Sequence, residues 1–328
     1  MDQAKKPTMK DLAREAGVSL GTVSKVINGL PVGEEYRLRV EEAIAKLDYR
    51  INTFAKGLRS GKTMMVALIL PNLTSPFFSW LANSIGNELA SRKYRMLLFC
   101  TNDAPEQEQE CVRLAEQQKV DGVICLSFRS DLAVPEGVRF ISVDRSLRPE
   151  IPCVSSDNYA GGWLAAQKLA EFGCTRPAML CIGSAVTNEP AKRRDGIAAG
   201  CAALGLPCEI KSLSDGDPCQ GFEDFLTEHY HDGSLDFDGL FCITDSLAHQ
   251  TLASLRRLGL RVPEDVQIIG FDGCRHFGDL DLTCSTIVQP VREISAACVE
   301  LLLQEEKTLT PSLVCLPVSF APGGTTKE

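Results

Sequence analysis

Polar and aromatic side chains stand where several apolar runs of this sequence stop. They form one set of eight: Asn72, Phe77, Phe78, Asp144, Arg145, Asp245, Asp272 and Gln289. Carboxylate and guanidinium groups make charge-assisted hydrogen bonds to ligand hydroxyls, and aromatic rings cover the apolar faces of a ligand. Each residue alone could be a solvated loop end, and the two Phe could be core residues. Taken together, these residues indicate a binding site for a small polar molecule.

The apolar runs are the elements that would position this set. They are residues 64–70, 95–100, 122–126, 138–143, 178–182, 239–243, 266–271 and, later, 285–288. Most are separated by helical stretches, a pattern typical of parallel sheets with helices on both faces. Because parallel strands end at one edge of a sheet, polar residues that follow them are expected at that edge. A span of about 260 residues suits two such lobes, so a two-lobed, doubly wound α/β domain is predicted.

The first 50 residues predict three short helices. Thr8 and Asp11 are spaced as a capping box for a helix that reaches Ala16, where Gly17 can end it. Ser19 then caps a second helix over 20–28, and a third spans about 34–47. The expected core residues are Leu12, Ala16, Val23, Val26, Ile27, Leu38, Val40, Ala43, Ile44 and Leu47. The second helix would turn outward Leu20, Gly21, Thr22, Ser24, Lys25 and Asn28.

Charge is divided unevenly along the chain. Residues 1–62 hold 12 Lys and Arg against 8 Asp and Glu, whereas the remainder holds 22 against 35. A basic front segment on an acidic body favours a polyanion partner for the front segment alone, because neutralising phosphates releases counterions.

The sequence patterns that would indicate disulfides, a metal site, a hydrolase or a phosphate-binding loop are absent or incomplete. The 14 Cys include no CxxC pair and the four His lack zinc-helix spacing, so neither disulfides nor a metal site are expected. Residues 17–21 match the G-x-S-x-G nucleophile elbow, but a predicted helix precedes Ser19 where the elbow needs a strand. Residues 61–63 echo a phosphate-binding loop, yet Lys56 stands where that loop has Gly. No run approaches a membrane span or a signal sequence, so a cytoplasmic protein without cofactor or membrane partner is expected.

Residues 8–49, TMKDLAREAGVSLGTVSKVINGLPVGEEYRLRVEEAIAKLDY, resemble the headpiece of the LacI-type (lactose/galactose repressor) family. The family hallmark is D-[VL]-A, then A-G-V-S, then T-V-S-[RK]-[VF]-[IL]-N. The resemblance implies a helix-turn-helix whose second helix enters the major groove of operator DNA. The DNA-binding set predicted here is Thr8, Ser19, Leu20, Gly21, Thr22, Ser24, Lys25 and Asn28.

The resemblance also implies roles within this set. Leu20, Gly21 and Lys25 occupy the positions that face base edges. Because Gly21 has no side chain, we expect Lys25 to contact guanine and Leu20 to contact a thymine methyl group. The polar residues Thr22, Ser24 and Asn28 would contact phosphates and fix the register.

Residues 52–59 form the predicted hinge. In the family this segment becomes a helix on DNA, and a Leu from each protomer wedges into the minor groove; Leu58 is the matching residue. The usual preceding proline is replaced around Ile51, and Gly57 costs about 1 kcal/mol of helix stability relative to Ala. Helix formation would therefore depend more strongly on DNA, and a solvated linker is the alternative.

The body resembles the periplasmic-binding-protein type I fold of the same family. In sugar-binding relatives an aromatic pair stacks on the sugar, carboxylates bind hydroxyls, and an Arg in R-x-x-G-[FI] clamps the ligand. Arg193 matches that Arg and joins the set of eight given above. Thr244 stands where the family usually has Asn, so the polar contact of that Asn is not carried over. A monosaccharide effector is predicted, while the basic triplet 192–194 keeps a sugar acid or sugar phosphate open.

These observations predict a DNA-binding repressor, not an enzyme, that acts as a homodimer on a pseudo-palindromic operator. The expected domains are a DNA-binding headpiece at residues 1–50, a hinge at 51–62, and an effector-binding and dimerisation domain at 63–328 with lobe crossings near 158, 289 and 318. The alternatives are a sugar-binding protein without a DNA role and a nucleotide-dependent α/β enzyme. The missing signal peptide and the missing G-x-G-x-x-G motif argue against them.

Overall fold

The computed structural model describes most of the chain. The described residues are 7–49, 62–102, 104–127, 129, 131–182, 190–214, 220–274, 276–277, 280–281, 284–304 and 312–327. The chain forms two units, residues 1–63 and residues 64–328. The predicted hinge residue Leu58 lies outside the described residues.

Three short helices form the first unit, and local hydrogen bonds set their ends. The helices are Met9–Ala16 (α1), Leu20–Ile27 (α2) and Glu34–Lys46 (α3). Thr8 Oγ1 accepts the Asp11 N–H at 3.3 Å, and Asp11 Oδ2 accepts the Thr8 N–H at 2.9 Å. Gly17 ends α1 with a φ of 61°. Ser19 Oγ accepts the Thr22 N–H at 3.1 Å, so the predicted caps are confirmed.

A small apolar core closes this unit. Its buried residues are Leu12, Ala16, Val23, Val40 and Ala43, with Val26, Ile27, Ile44 and Leu47 partly buried against them. The prediction was wrong for Leu38, which is 50% exposed. Since a helix turns about 100° per residue, Leu38 lies on the far side of α3 from Val40.

Sixteen strands and seven helices are described in the second unit. The strands are Met65–Leu70 (β1), Arg95–Cys100 (β2), Gly122–Cys125 (β3), Phe140–Val143 (β4), Cys153–Ser156 (β5), Pro177–Ile182 (β6), Glu209–Leu213 (β7), Tyr230–His231 (β8), Ser234–Leu235 (β9), Gly239–Cys242 (β10), Gln267–Asp272 (β11), His276–Phe277 (β12), Leu280–Asp281 (β13), Ser285–Val288 (β14), Leu313–Leu316 (β15) and Ser319–Ala321 (β16). The helices are Pro76–Ser91 (α4), Pro105–Gln117 (α5), Asn158–Glu171 (α6), Lys192–Ala203 (α7), Gln220–Glu228 (α8), Asp245–Arg257 (α9) and Val291–Leu303 (α10).

The strands build two six-stranded sheets, one for each lobe. The first lobe has the order β15-β5-β4-β3-β1-β2, with every neighbouring pair parallel. The second lobe has the order β16-β14-β11-β10-β6-β7, and its pairs are parallel except for β14 with β16. The chain passes between the lobes after β5, after β14 and between β15 and β16. The predicted doubly wound architecture is confirmed.

Helices α6 and α7 pack backbone against backbone in the second lobe. A Cβ on Gly162 would lie 2.0 Å from the Arg193 carbonyl oxygen, and one on Gly196 would lie 2.1 Å from the Tyr159 carbonyl oxygen. Only glycine fits at such distances. This close approach fixes where the first turn of α7, which carries Arg193, lies relative to α6.

All eight predicted runs contain strands, but eight further strands among the described residues were missed: β5, β7, β15 and β16 of the two large sheets, and the two-residue strands β8, β9, β12 and β13. β5 is fully buried although half of its CVSS sequence is polar, and β7 is largely accessible. Their strand state follows from sheet pairing with distant segments rather than from hydrophobic pattern. In the described part of the chain, no helix is long and apolar enough to cross a membrane, and no cluster of His, Cys, Asp or Glu is arranged to hold a metal.

Candidate functional site

The first turn of α2 presents an unusual surface. Leu20 is 43% exposed, and a Cβ on Gly21 would meet only Ser19 Oγ, at 3.6 Å. Lys25 lies one turn after Gly21 on the same face and is exposed. An apolar side chain and a bare stretch of backbone thus lie near the N-terminus of α2, where the helix dipole favours an anion. The cation Lys25 lies in the last turn of the same helix.

Several other residues of the predicted DNA-binding set hold the headpiece together. Thr22 Oγ1 is 2.9 Å from Ser19 Oγ, and Asn28 Nδ2 donates to the Ser24 carbonyl oxygen at 2.8 Å. Thr8 Oγ1 donates to Asp11 at 2.7 Å within the capping box. These side chains therefore form hydrogen bonds at the ends of helices, and they remain at least partly accessible to solvent.

A polar cluster lies in the second unit where strands of both lobes end. Asp144 follows β4 of the first lobe, and Asp272 is the last residue of β11 in the second lobe. Arg193 lies in the first turn of α7, Asp245 begins α9 and Gln289 follows β14. The parallel arrangement brings these five residues together, although they span nearly half of the sequence.

The Arg193 guanidinium is held from several sides and is only 3% exposed. Its Nη1 donates to the Ile243 carbonyl oxygen at 2.8 Å, and its Nε donates to Asn158 Oδ1 at 2.7 Å. The guanidinium carbon lies 3.6 Å from the centre of the Phe271 ring, a cation–π contact. Asp272 Oδ1 lies 3.9 Å from Nη1, at the limit of an ion pair.

Three carboxyl groups surround one guanidinium in this cluster. Burial lowers the pKa of Arg193, while the carboxylates of Asp144, Asp272 and Asp245 oppose that shift. Burial raises the pKa of Asp272 well above its ordinary value and that of Asp245 to about 6. Asp144 Oδ1 is buried and has no hydrogen-bond partner among the described residues. The cluster therefore has unmet acceptors and can take hydrogen-bond donors from a ligand.

Asp245 also supports the neighbouring backbone. Its Oδ2 accepts the Cys274 N–H at 2.8 Å, which holds the loop after β11. Its Oδ1 lies only 2.2 Å from where a Cβ on Gly270 would stand, so glycine makes room for the carboxylate. This residue shapes the site as well as adding charge to it.

The remaining predicted residues lie at the same edge of the first-lobe sheet, after β1 and β4. Phe77 is 4% exposed and packs in the core, whereas Phe78 is half-buried; their ring centres are 5.9 Å apart. Asn72 Oδ1 accepts the N–H groups of Thr74 and Ser75, each at 3.1 Å, which shapes the turn before α4. Arg145, next to Asp144, is half-buried.

Sequence reasoning missed three residues of the site. Ser156 ends β5, a strand that the hydrophobic pattern did not reveal, and its Oγ donates to Gln289 Oε1 at 2.7 Å. Asn158 follows the same strand, and Phe271 was counted only as part of a strand. The signal that could have found Asn158 is the run Ser155-Ser156-Asp157-Asn158, polar residues between an apolar stretch and a helix.

A helix-turn-helix unit joined to a two-lobed unit with a buried polar cluster defines a ligand-controlled DNA-binding regulator. Residues 8–52 match the family described as "Bacterial regulatory proteins, lacI family", and residues 63–305 match "Periplasmic binding proteins and sugar binding domain of LacI family". The chain belongs to the LacI family of transcription regulators, which bind DNA and are not enzymes.

Three similar proteins illustrate the match. The sucrose operon repressor of Pediococcus pentosaceus is 32% identical, with 98% of this chain and 99% of that protein covered. The ribose operon repressor of Bacillus subtilis gives the same three values. The crystal structure of the Lac repressor dimer bound to operator and the anti-inducer ONPF superposes with a TM-score of 0.83 at 22% identity, covering 99% of this chain and 100% of that chain.

Proposed function

We propose that this protein is a cytoplasmic transcription repressor that binds its operator as a homodimer and responds to a small neutral sugar. The observation that carries the effector proposal is the buried cluster of Asp144, Arg193 and Asp272, to which both lobes contribute. Relatives are named for sucrose and ribose operons, and the matching body family is described by its sugar-binding domain.

The headpiece would read DNA through α2. Lys25 would donate to guanine acceptors and Leu20 would cover a thymine methyl group, while Gly21 lets the helix approach closely. Thr22, Ser24 and Asn28, together with the helix-starting residues Thr8 and Ser19, would contact phosphates or fix the register. Leu58 remains a prediction for the minor groove. This proposal is supported by the exposure of Leu20 and Lys25 on α2.

The charge of the cluster favours a neutral ligand over an anionic one. Arg193 already interacts with the carboxyl groups of Asp144, Asp272 and Asp245, so a phosphate or carboxylate on the ligand would have to compete with them for the guanidinium. Sugar hydroxyls can instead donate to Asp144 Oδ1 and Asp272, and Gln289 can take part at the same edge. Phe78, backed by Phe77, would cover the apolar face of the sugar. Asn72, Arg145 and Asp245 would shape the walls.

Effector binding would act through the lobes. A ligand that contacts Asp144 from one lobe and Arg193 from the other changes the preferred lobe arrangement, and a dimer transmits that change to two DNA half-sites. Two-fold symmetry predicts a roughly palindromic operator.

The test uses the full chain and a library of random DNA duplexes. Repeated selection should enrich one near-palindromic sequence, and thermal unfolding should show that D-ribose or sucrose raises the melting temperature while D-ribose 5-phosphate does not. The same sugar should change the affinity for the selected duplex. Failure to enrich any sequence would contradict the repressor proposal, and a shift with the phosphate alone would contradict the neutral-ligand proposal.

A further inference from the structure

The chain crosses from the first lobe to the second after β5 and back again after β14; these two segments are called the first and second crossovers. The first crossover carries polar side chains that are completely buried. Ser155 and Ser156 are 0% exposed, and Asn158 is 1% exposed. Buried polar groups are costly unless they are hydrogen-bonded, so their partners show what the segment does. Two separate chains of hydrogen bonds start here, and each ends at a charged group of the polar cluster.

The first chain runs through Asn158 to Arg193. Asn158 Nδ2 donates to Ser155 Oγ and to the Ser156 carbonyl oxygen, both at 3.0 Å. These two bonds fix the amide so that Oδ1 faces Arg193, whose Nε donates to it at 2.7 Å. Without Asn158, the buried guanidinium would keep the Ile243 carbonyl but lose the partner that sets its rotation.

The second chain runs through Ser156 to Asp272. Ser156 Oγ donates to Gln289 Oε1 at 2.7 Å, and Gln289 Nε2 donates to Asp272 Oδ1 at 2.8 Å. With its oxygen accepting from the Ser156 hydroxyl, the Gln289 amide presents its NH₂ group to the carboxylate. Gln289 itself lies at the second crossover, so this chain links both crossovers to Asp272.

We infer that Ser156 and Asn158 are positioning residues that orient Gln289 and Arg193, and through Gln289 the Asp272 carboxylate, for the effector. The inference rests on the proposed effector function of the cluster. The first crossover and the ligand-binding groups thus form one hydrogen-bonded unit, and a ligand that shifts Arg193 or Asp272 acts on the segment about which the lobes move.

A matched control separates positioning from simple structural support. Ser142 in β4 is also 0% exposed, and its Oγ donates only to a backbone group, the Pro152 carbonyl oxygen, at 3.1 Å. Ser142→Ala and Ser156→Ala therefore each remove one buried serine hydroxyl, from neighbouring strands of one sheet. Of these two hydroxyls, only that of Ser156 is connected by hydrogen bonds, through Gln289, to a charged group of the cluster.

The first readout needs no ligand. In the full chain labelled with ¹³C at Asp carboxyl carbons, Asp272 is assigned by Asp272→Asn and titrated by NMR. Arg193, Asp245 and Asp144 are the charged groups that act on it, and the Gln289 bond favours its ionised form. Ser156→Ala and Asn158→Ala should each raise the midpoint by about half a pH unit or more, while Ser142→Ala leaves it in place. An unchanged midpoint in both variants overturns the inference.

The second readout is the affinity for D-ribose and sucrose. Ser156→Ala should weaken binding of the responding sugar roughly three- to tenfold, and it should have no further effect in a Gln289→Ala background, because it acts through Gln289. Equal effects of Ser156→Ala and Ser142→Ala, or additivity with Gln289→Ala, contradict the inference. If neither sugar binds the unmodified chain, the sugar proposal fails, and the NMR titration still decides the role of these residues.

Discussion

Asp245 is a carboxyl group that folding places in an unfavourable environment. It is buried next to other carboxyl groups, and burial raises its pKa from 3.8 to about 6. For a carboxyl group whose pKa rises on folding, the protonated form is favoured in the folded state. Its contribution to the free energy of unfolding is therefore fully present below about pH 4 and lost as pH rises through about 6.

Replacing Asp245 by Asn should flatten this pH dependence. The amide keeps an oxygen for the Cys274 N–H but carries no charge, so the melting temperature of the variant should fall less between pH 4 and pH 7 than that of the unmodified chain. Asp272 shares the upward shift, so part of the slope remains.

Asp265→Asn is the control for that experiment. Hydrogen bonds from Arg261 lower the pKa of Asp265 to about 2, so its contribution is present above about pH 4 and is lost only as pH falls through about 2. This variant should leave the slope between pH 4 and pH 7 unchanged. An unchanged slope in Asp245→Asn as well would show that Asp245 is not the titrating group.

At the scale of elements, the crossing of α6 and α7 decides where Arg193 stands. Gly161 and Gly162 are adjacent on α6: a Cβ on Gly161 would lie 2.6 Å from the Phe271 ring, and one on Gly162 would lie 2.0 Å from the Arg193 carbonyl oxygen. The two glycines thus let the aromatic ring and the backbone that support the guanidinium approach α6. Helix propensity alone would disfavour both of them.

Gly162→Ala should therefore destabilise the second unit and displace Arg193. The new methyl group meets backbone atoms that cannot yield without separating the helices, and a cost of about 1–3 kcal/mol or more is expected from urea unfolding of the full chain. The thermal shift produced by a bound sugar should be lost as well.

Gly86→Ala in α4 provides the matched control. A Cβ there meets only the flexible end of Met96, at 3.3 Å, so stability should change little or rise slightly. Equal losses in the two variants would mean that the tight α6–α7 contact has no special role.

At the scale of the whole molecule, charge is divided between the two units. The basic first 62 residues suit a polyanion, and the acidic remainder is repelled by one. Binding to DNA should therefore weaken steeply as salt concentration rises, and sequence preference should depend on the side chains of α2.

Lys25→Glu tests this division against Lys10→Glu. Both residues are exposed in the headpiece, but Lys10 lies on α1 and Lys25 on the outer face of α2. Both reversals should lower affinity for all duplexes, whereas only Lys25→Glu should abolish preference for the selected sequence, measured by gel shift against a scrambled duplex. Retained preference in Lys25→Glu would show that α2 does not read the bases.

The sequence alone was sufficient for features that depend on neighbouring residues. The caps at Thr8 and Ser19, the αL turn at Gly17 and the eight apolar strands follow from local hydrogen bonding and local hydrophobic pattern, which act within a few residues. The parallel arrangement then predicted which strand-end residues would meet, including Asp144 and Asp272.

Tertiary structure alone decided the rest. The half-polar strand β5 is buried by pairing with distant strands, and the links from Asn158 to Arg193 and from Ser156 to Gln289 join positions far apart in sequence. No local pattern records such contacts, because the burial and partner of a polar group depend on which distant segments pack beside it. The sequence therefore indicated which residues could bind an effector, and packing determined what holds them in place.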